Sequence, residues 1–176
     1  MPPPSKIILI RHAEKPNDDG TPPLGITNAG ANNPHSLIVN GWARAGALIG
    51  FFTKPAPPIE TPATIFTATP KDAGHKPHHS ARPWETVTPL GAALRLPLDV
   101  DFAVGDEVAL AAKVLQQSGV VLVCWEHHAI RTIVEQFIPG FAQDWPDRFD
   151  LVWILTAGGG GWAFTQTYQH LLAGDS

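Results

Sequence analysis

Two short apolar runs, residues 7–10 (Ile-Ile-Leu-Ile) and 120–125 (Val-Val-Leu-Val-Cys-Trp), both stop abruptly at polar, histidine-bearing sequence. The first runs into Arg11-His12 and the second into Glu126-His127-His128. Apolar, β-branched runs without polar alternation mark strands buried on both faces, as in parallel sheets covered by helices. Arg and His fit poorly inside such a strand. They belong at its carboxyl end, where open α/β sheets gather their ligands. Right-handed crossovers would bring two such ends to one rim. His12 and His127 are therefore expected to lie near each other.

The rest of the chain fits this frame. Residues 16–36 are rich in Pro, Gly, Asn and Asp and show no periodicity. They read as a long loop leaving directly from His12, expected to wall one side of a site; an excursion with no role is the plainer alternative. From residue 37 the pattern turns helical, with Trp42, Ala45, Leu48, Ile49 and Phe52 at three- and four-residue steps and Asn40 as N-cap. Residues 63–68 read as a second buried strand. A helix then starts near Ser80 as N-cap, with Pro83 in its first turn, Glu85 near the capping-box position and Pro89 inside it. Residues 99–104 are ambiguous, and 105–117 are helical, with Asp106 and Glu107 at the positive end of the dipole and Gly119 closing the helix. Residues 129–137 form another helix. Two last strands, 149–155 and 162–168, flank four consecutive glycines that read as a hairpin turn rather than a phosphate loop, since no Lys-Ser/Thr follows. The tail, 170–176, is expected at the surface. The fold class is α/β: a three-layer α/β/α sandwich, one domain over 1–176, with a mostly parallel central sheet and helices on both faces.

Composition sets the chemistry available. A formal net charge of −4 gives no footprint for nucleic acid or an anionic membrane. Any phosphate site must then be locally basic, built from a few aimed arginines. The one cysteine, Cys124, excludes an internal disulfide and fits a reducing cytosol. The start lacks the apolar core of a signal peptide, and no apolar run approaches the ~18 residues of a membrane span. A cytoplasmic location is expected.

Arg11-His12-Ala13-Glu14 resembles the Arg-His-Gly-Glu signature of the histidine phosphatase (phosphoglycerate mutase-like) superfamily. Leu37, Gly41 and Ala45 resemble the pattern of that family's first helix. Ser80-Ala81-Arg82 with Glu85-Thr86 resembles its arginine-bearing segment, here after an insertion at residues 70–79. The family's second histidine stands where Trp125-Glu126-His127-His128 lies. His127 is the better match in register, and His128 stays open.

The resemblance implies a metal-independent phosphomonoesterase without a cofactor, acting on a small phosphorylated metabolite or a phosphoprotein. His12 would take up the phosphoryl group as a phosphohistidine, Arg11 and Arg82 would clamp its oxygens, and His127 would stabilise the same oxygens. The chemistry agrees. Imidazole is largely neutral at pH 7 and can attack in line, and guanidinium matches phosphate bidentately. The departure concerns the general acid. His128 and Ala129 occupy the place where one branch of the family carries an Asp, and nothing around Asp101, Asp106 or Glu107 resembles the other branch's glutamate. Glu107 and Glu14 are the candidates; Glu107 has helix capping as its plainer reading. Mutase activity is disfavoured, since no stretch resembles the mutases' insertions. Two other classes stay open. One is a pseudoenzyme that binds phosphoproteins or phosphometabolites in the same pocket. The other is a metal-binding protein using His35, His75, His78 and His79.

Overall fold

The computed structural model describes residues 2–71, 75 and 79–175. The elements follow in the order β1 (Pro4–Arg11), α1 (Val39–Thr53), β2 (Thr64–Thr67), α2 (Arg82–Leu94), β3 (Leu98–Asp99), α3 (Glu107–Val114), β4 (Gly119–Trp125), α4 (His127–Glu135), β5 (Leu151–Gly158) and β6 (Gly161–Tyr168). One six-stranded sheet orders them β3-β2-β4-β1-β5-β6. The first four of these run parallel, and β5 and β6 return antiparallel. The sheet is mixed, mainly parallel where the site forms, with helices on both faces.

Burial on both sides explains the unbroken apolar run of β1. Successive side chains of a strand point to opposite faces. Ile7 and Leu9 join Leu110, Val114, Ile130 and Ile133 beneath α3 and α4. Ile8 and Ile10 join Leu48, Phe52, Val87 and Leu90 beneath α1 and α2. Each fully buried aliphatic side chain contributes about 1.5–3 kcal/mol, so β1 and its neighbour β4 form the core on which the rest is fixed. Cys124 is buried in β4, and burial pushes its thiol far above the ordinary range, so it is an inert core residue.

Several boundaries differ from the sequence reading. Asn40 lies inside α1, whose cap residue is Ile38 and has no side-chain cap. The approach to α1 is held from elsewhere: Ile38 N–H donates to the Glu14 carbonyl (3.1 Å) and Leu37 N–H to the buried Glu85 carboxylate (2.8 Å). Tertiary partners do the work of a local cap. Likewise α2 starts at Arg82 with Ala81 at the cap, so Ser80 makes no cap bond. Gly119 opens β4 with φ +74° instead of closing α3, which ends at Val114. α4 begins at His127, not Ala129, because Glu126 caps it. Of the ambiguous stretch 99–104 only Asp99 joins a strand, β3. The four glycines do turn a hairpin, with Gly158 paired to Gly161.

The loop at 16–36 is tied down, not an idle excursion. Ile26 bridges Asn32, and the Trp42 indole N–H donates to the Ile26 carbonyl at 2.7 Å. Among the described residues no helix is long and apolar enough to cross a membrane.

Gly41 sets how closely α1 approaches the chain just past His12. A Cβ there would stand 2.5 Å from the Glu14 carbonyl oxygen. Backbone cannot yield as a flexible side chain can, so Gly41→Ala should cost about 1–3 kcal/mol, read as a lower urea midpoint at unchanged slope.

Candidate active site

The site forms where β1 and β4 end side by side. Arg11 is in register with Trp125, and His12 N–H donates to the Trp125 carbonyl at 3.1 Å. α4 starts directly after β4 and swings His127 over this rim. The rings of His12 and His127 lie 6.5 Å apart between centroids, nearly perpendicular at 82°. That is the juxtaposition expected from the two apolar runs.

His12 is 2 % exposed. Its Nδ1 lies 2.7 Å from the Ala13 carbonyl oxygen. A carbonyl can only accept, so Nδ1 carries the hydrogen and the Nε2 lone pair stays free. Burial, and next the charge of Arg82, hold the imidazole well below its ordinary pKa; Arg11 and His127 add to this. The ring is thus neutral and nucleophilic at pH 7.

Arg11 is 1 % exposed and lies over the Phe149 ring, 4.0 Å from its centroid. Its guanidinium donates to Asp147 (2.9 Å), whose side chain is 90 % exposed. Burial lowers the Arg11 pKa and Asp147 opposes that, so the guanidinium stays charged. Asp147 in turn is held below the usual carboxylate range by Arg11.

Arg82 approaches from the start of α2 and lines an adjoining pocket with Asp18 and His35. Thr86, one turn on, accepts from Ala13 N–H at 2.8 Å and donates to the Arg82 carbonyl at 2.7 Å. This link ties the first turn of α2 to the residue after His12. It explains how Arg82 reaches the site despite the inserted residues. Arg82 is near enough for its charge to oppose protonation of His12, and its Nε donates to Ser80 Oγ at 3.3 Å.

Glu126, His127 and His128 complete the rim. Glu126 Oε2 caps α4 by accepting from His128 N–H (3.0 Å), while Oε1 stands 2.9 Å from His127 Nδ1. Burial pushes the Glu126 carboxyl up, but His127 and His128 together outweigh this and hold it below the usual range. The ring of His128 lies 3.8 Å from that of His127. A cleft of about 380 Å³ opens here, lined by Arg11, Lys15, Asp18, His127, His128, Trp145 and Asp147. Lys15 and Asp18 come from the loop after His12, which does wall one side. A somewhat larger cleft lies beyond Asp147, around Arg44 and Asp175, but the histidines do not line it.

The two acids singled out from sequence have other partners. Glu14 receives Arg44 Nε and Nη2 at 2.7–3.2 Å. Glu107 Oε1 accepts from the Trp125 indole N–H and from Gly105 N–H, both at 2.9 Å. Glu107 borders a groove with Glu126 and His128, and its bond to Trp125 is a role beyond helix capping.

Among the described residues, the side chains whose donor atoms could converge on a metal ion are Glu126, His127 and His128, all within 4.8 Å. His35, His75 and His79 form no such group, and His78 lies outside the described residues. The sequence reading missed Arg44, Asp147 and Phe149. Arg44 looked like one polar residue of an amphipathic helix. Asp147 and Phe149 follow a patternless loop, 136 positions or more from the arginine they contact.

This rim, with a buried arginine and histidine from β1, an arginine from the next helix and a histidine after β4, defines a fold. The chain has the fold of the histidine phosphatases, also called phosphoglycerate mutase-like. A solved structure of the protein histidine phosphatase SixA complexed with tungstate superposes with a TM-score of 0.58 at 16 % identity, covering 93 % of this chain and 97 % of that one. A phosphoserine phosphatase from Entamoeba histolytica in complex with 3-phosphoglyceric acid gives 0.54 at 15 % identity, covering 95 % and 99 %. No protein-family model and no curated protein sequence matches the chain.

Proposed function

We propose that this chain is a metal-independent phosphomonoesterase that works through a phosphohistidine on His12. The observation carrying this reading is a neutral, buried imidazole with a free Nε2, flanked by Arg11, Arg82 and His127. In this reading Nε2 attacks phosphorus, and the two guanidinium groups take the non-bridging oxygens. Their fixed charge in a site shielded from water stabilises the transition state. His127 donates an N–H to the same phosphoryl group. The arriving phosphate replaces Asp147 on Arg11. Phosphohistidine in a protein and a small phosphate ester are the two substrate classes in view, since similar folds carry phosphatases for each.

The test is a screen of phosphorylated metabolites and phosphohistidine peptides with purified protein, with and without a strong chelator. Turnover should be unchanged by the chelator, because the arginines and histidines supply the positive charge. Loss with chelator, restored by a divalent ion, would favour an ion held by Glu126, His127 and His128. Arg82→Ala should lower kcat by about 10²–10³-fold, the usual cost of removing one fixed donor to transition-state charge. A change confined to a few-fold would remove Arg82 from the clamp.

A further inference from the structure

A phosphohistidine mechanism needs a proton for the departing ester oxygen, and the carboxylates near the rim are engaged elsewhere. Glu14 is clamped by Arg44. Glu107 holds the Trp125 indole and Gly105. Asp147 pairs with Arg11 and Asp18 with Lys15, and these partners keep both carboxyls below their ordinary range. The oxygens of each already accept hydrogen bonds from these partners.

Glu126 differs in what it faces. Its Oε2 is fixed by the α4 cap, so Oε1 is turned toward His127 Nδ1 at 2.9 Å. That nitrogen is shut off from solvent, and Oε1 is within hydrogen-bond distance though not aligned for a bond. Resting on the proposed phosphatase reading, we propose that Glu126 and His127 supply the missing proton. Glu126 is the positioning residue: it holds the hydrogen on Nδ1 and so fixes the orientation of the ring. His127 is the catalytic donor, through Nε2–H.

The step balances. The lone pair on His12 Nε2 forms the N–P bond as the P–O ester bond breaks. The bond pair goes to the ester oxygen, which takes the proton from His127 Nε2 and leaves as the alcohol. In the second step water attacks phosphorus, the P–N pair returns to His12, and the water proton goes to His127. Ester and water give alcohol and phosphate, with both histidines restored.

The charges facing His127 come from several elements. Glu126 and His128 flank it, Arg11 and His12 face it from the end of β1, and the charge of Arg82 from α2 acts on Glu126 beside it. Asp147 faces it from the segment before β5, and Lys15 and Asp18 line the same cleft.

The deciding variant is Glu126→Gln, whose amide oxygen can still accept from His128 N–H and so preserves the cap. With alkyl phosphates the chemical step should fall by about 10²–10⁴-fold, the usual contribution of a general acid. With p-nitrophenyl phosphate, whose leaving group needs no proton, the loss should stay within a few-fold. His127→Gln should lose turnover on both ester classes, because it also removes the N–H given to the phosphoryl group, but more on alkyl esters, and on these the double variant should lose little more than His127→Gln. An equal loss across the ester series would overturn the proposal and leave Glu126 as a cap. The same selective loss in Glu107→Gln instead would also overturn it, by making Glu107 the donor. Nitrogen-15 NMR of the ring in the free protein is independent of turnover. Hydrogen on Nδ1 of His127 that is lost in Glu126→Gln supports the pairing even if no ester is a substrate; an unchanged ring spectrum counts against it.

Discussion

His12→Ala should abolish steady-state turnover, with a loss on the order of 10⁶-fold, as when a hydrolase loses its covalent nucleophile. It should also abolish acid-labile, alkali-stable phosphate labelling of the protein in a rapid quench. The geometry leaves no substitute. His127 is a neighbouring imidazole, but it faces Glu126, and the His128 ring lies against that of His127. His127→Ala should still be labelled, more slowly, because Nε2 of His12 is untouched. Labelling that survives His12→Ala would move the nucleophile to one of these rings and overturn the proposed mechanism.

The burial of His12 also makes a pH prediction. Its folded pKa lies below the unfolded value of about 6.5. The acid limb of kcat/KM, where the nucleophile becomes protonated, should therefore lie well below pH 6.5. The stability sign follows by linkage. Below about pH 6.5 the unfolded chain binds a proton that the folded chain does not, so acidification favours unfolding, by up to about 1.4 kcal/mol per pH unit for this group. His12→Gln should lessen that acid sensitivity in urea titrations at graded pH.

Much of the centre of this fold was legible because β1 and β4 carry their information locally. An unbroken apolar run ending in histidine specifies burial, strand and rim at once. Arg82 could be found through its motif, although the distance from β2 was unusual, because Thr86 rather than chain length fixes its position. The caps misled for the opposite reason. Asn40 and Ser80 are good cap residues, but α1 is anchored by Glu85 and the Glu14 carbonyl, partners distant in sequence. The same limit hid Asp147 and Phe149. A cation over a ring or an ion pair across half the chain leaves no periodic trace. Glu126 stands next to the second histidine in the sequence, but its partner there shows only in the 2.9 Å distance to His127 Nδ1.

Arg44 is the largest departure from what its surroundings in sequence suggest, and it carries the second large effect. It sits in α1 with its side chain 3 % exposed, donating to Glu14, to Gln169 and through two nitrogens to Asp175. The tail expected at the surface is thus pinned, with Asp175 only 7 % exposed at its side chain. Removing the guanidinium would leave two carboxylates without their cation, the costly way to break a buried pair. Arg44→Met should therefore destabilise by about 3–5 kcal/mol, measured as the shift in urea unfolding at pH 7. Arg44→Lys, which keeps a charge but loses the planar fork, should fall between. The pH dependence separates charge from packing. In the native protein the bond to Arg44 holds Asp175 far below its ordinary pKa, so this contribution is present above about pH 4 and is lost as pH falls further. In Arg44→Met the carboxylate has no cation, and protonation relieves it, so lowering the pH from 7 toward 4 should shrink the gap between variant and native protein. A gap that stays constant over that range would mean that Arg44 stabilises by packing its aliphatic stem, and that its ion pairs contribute little.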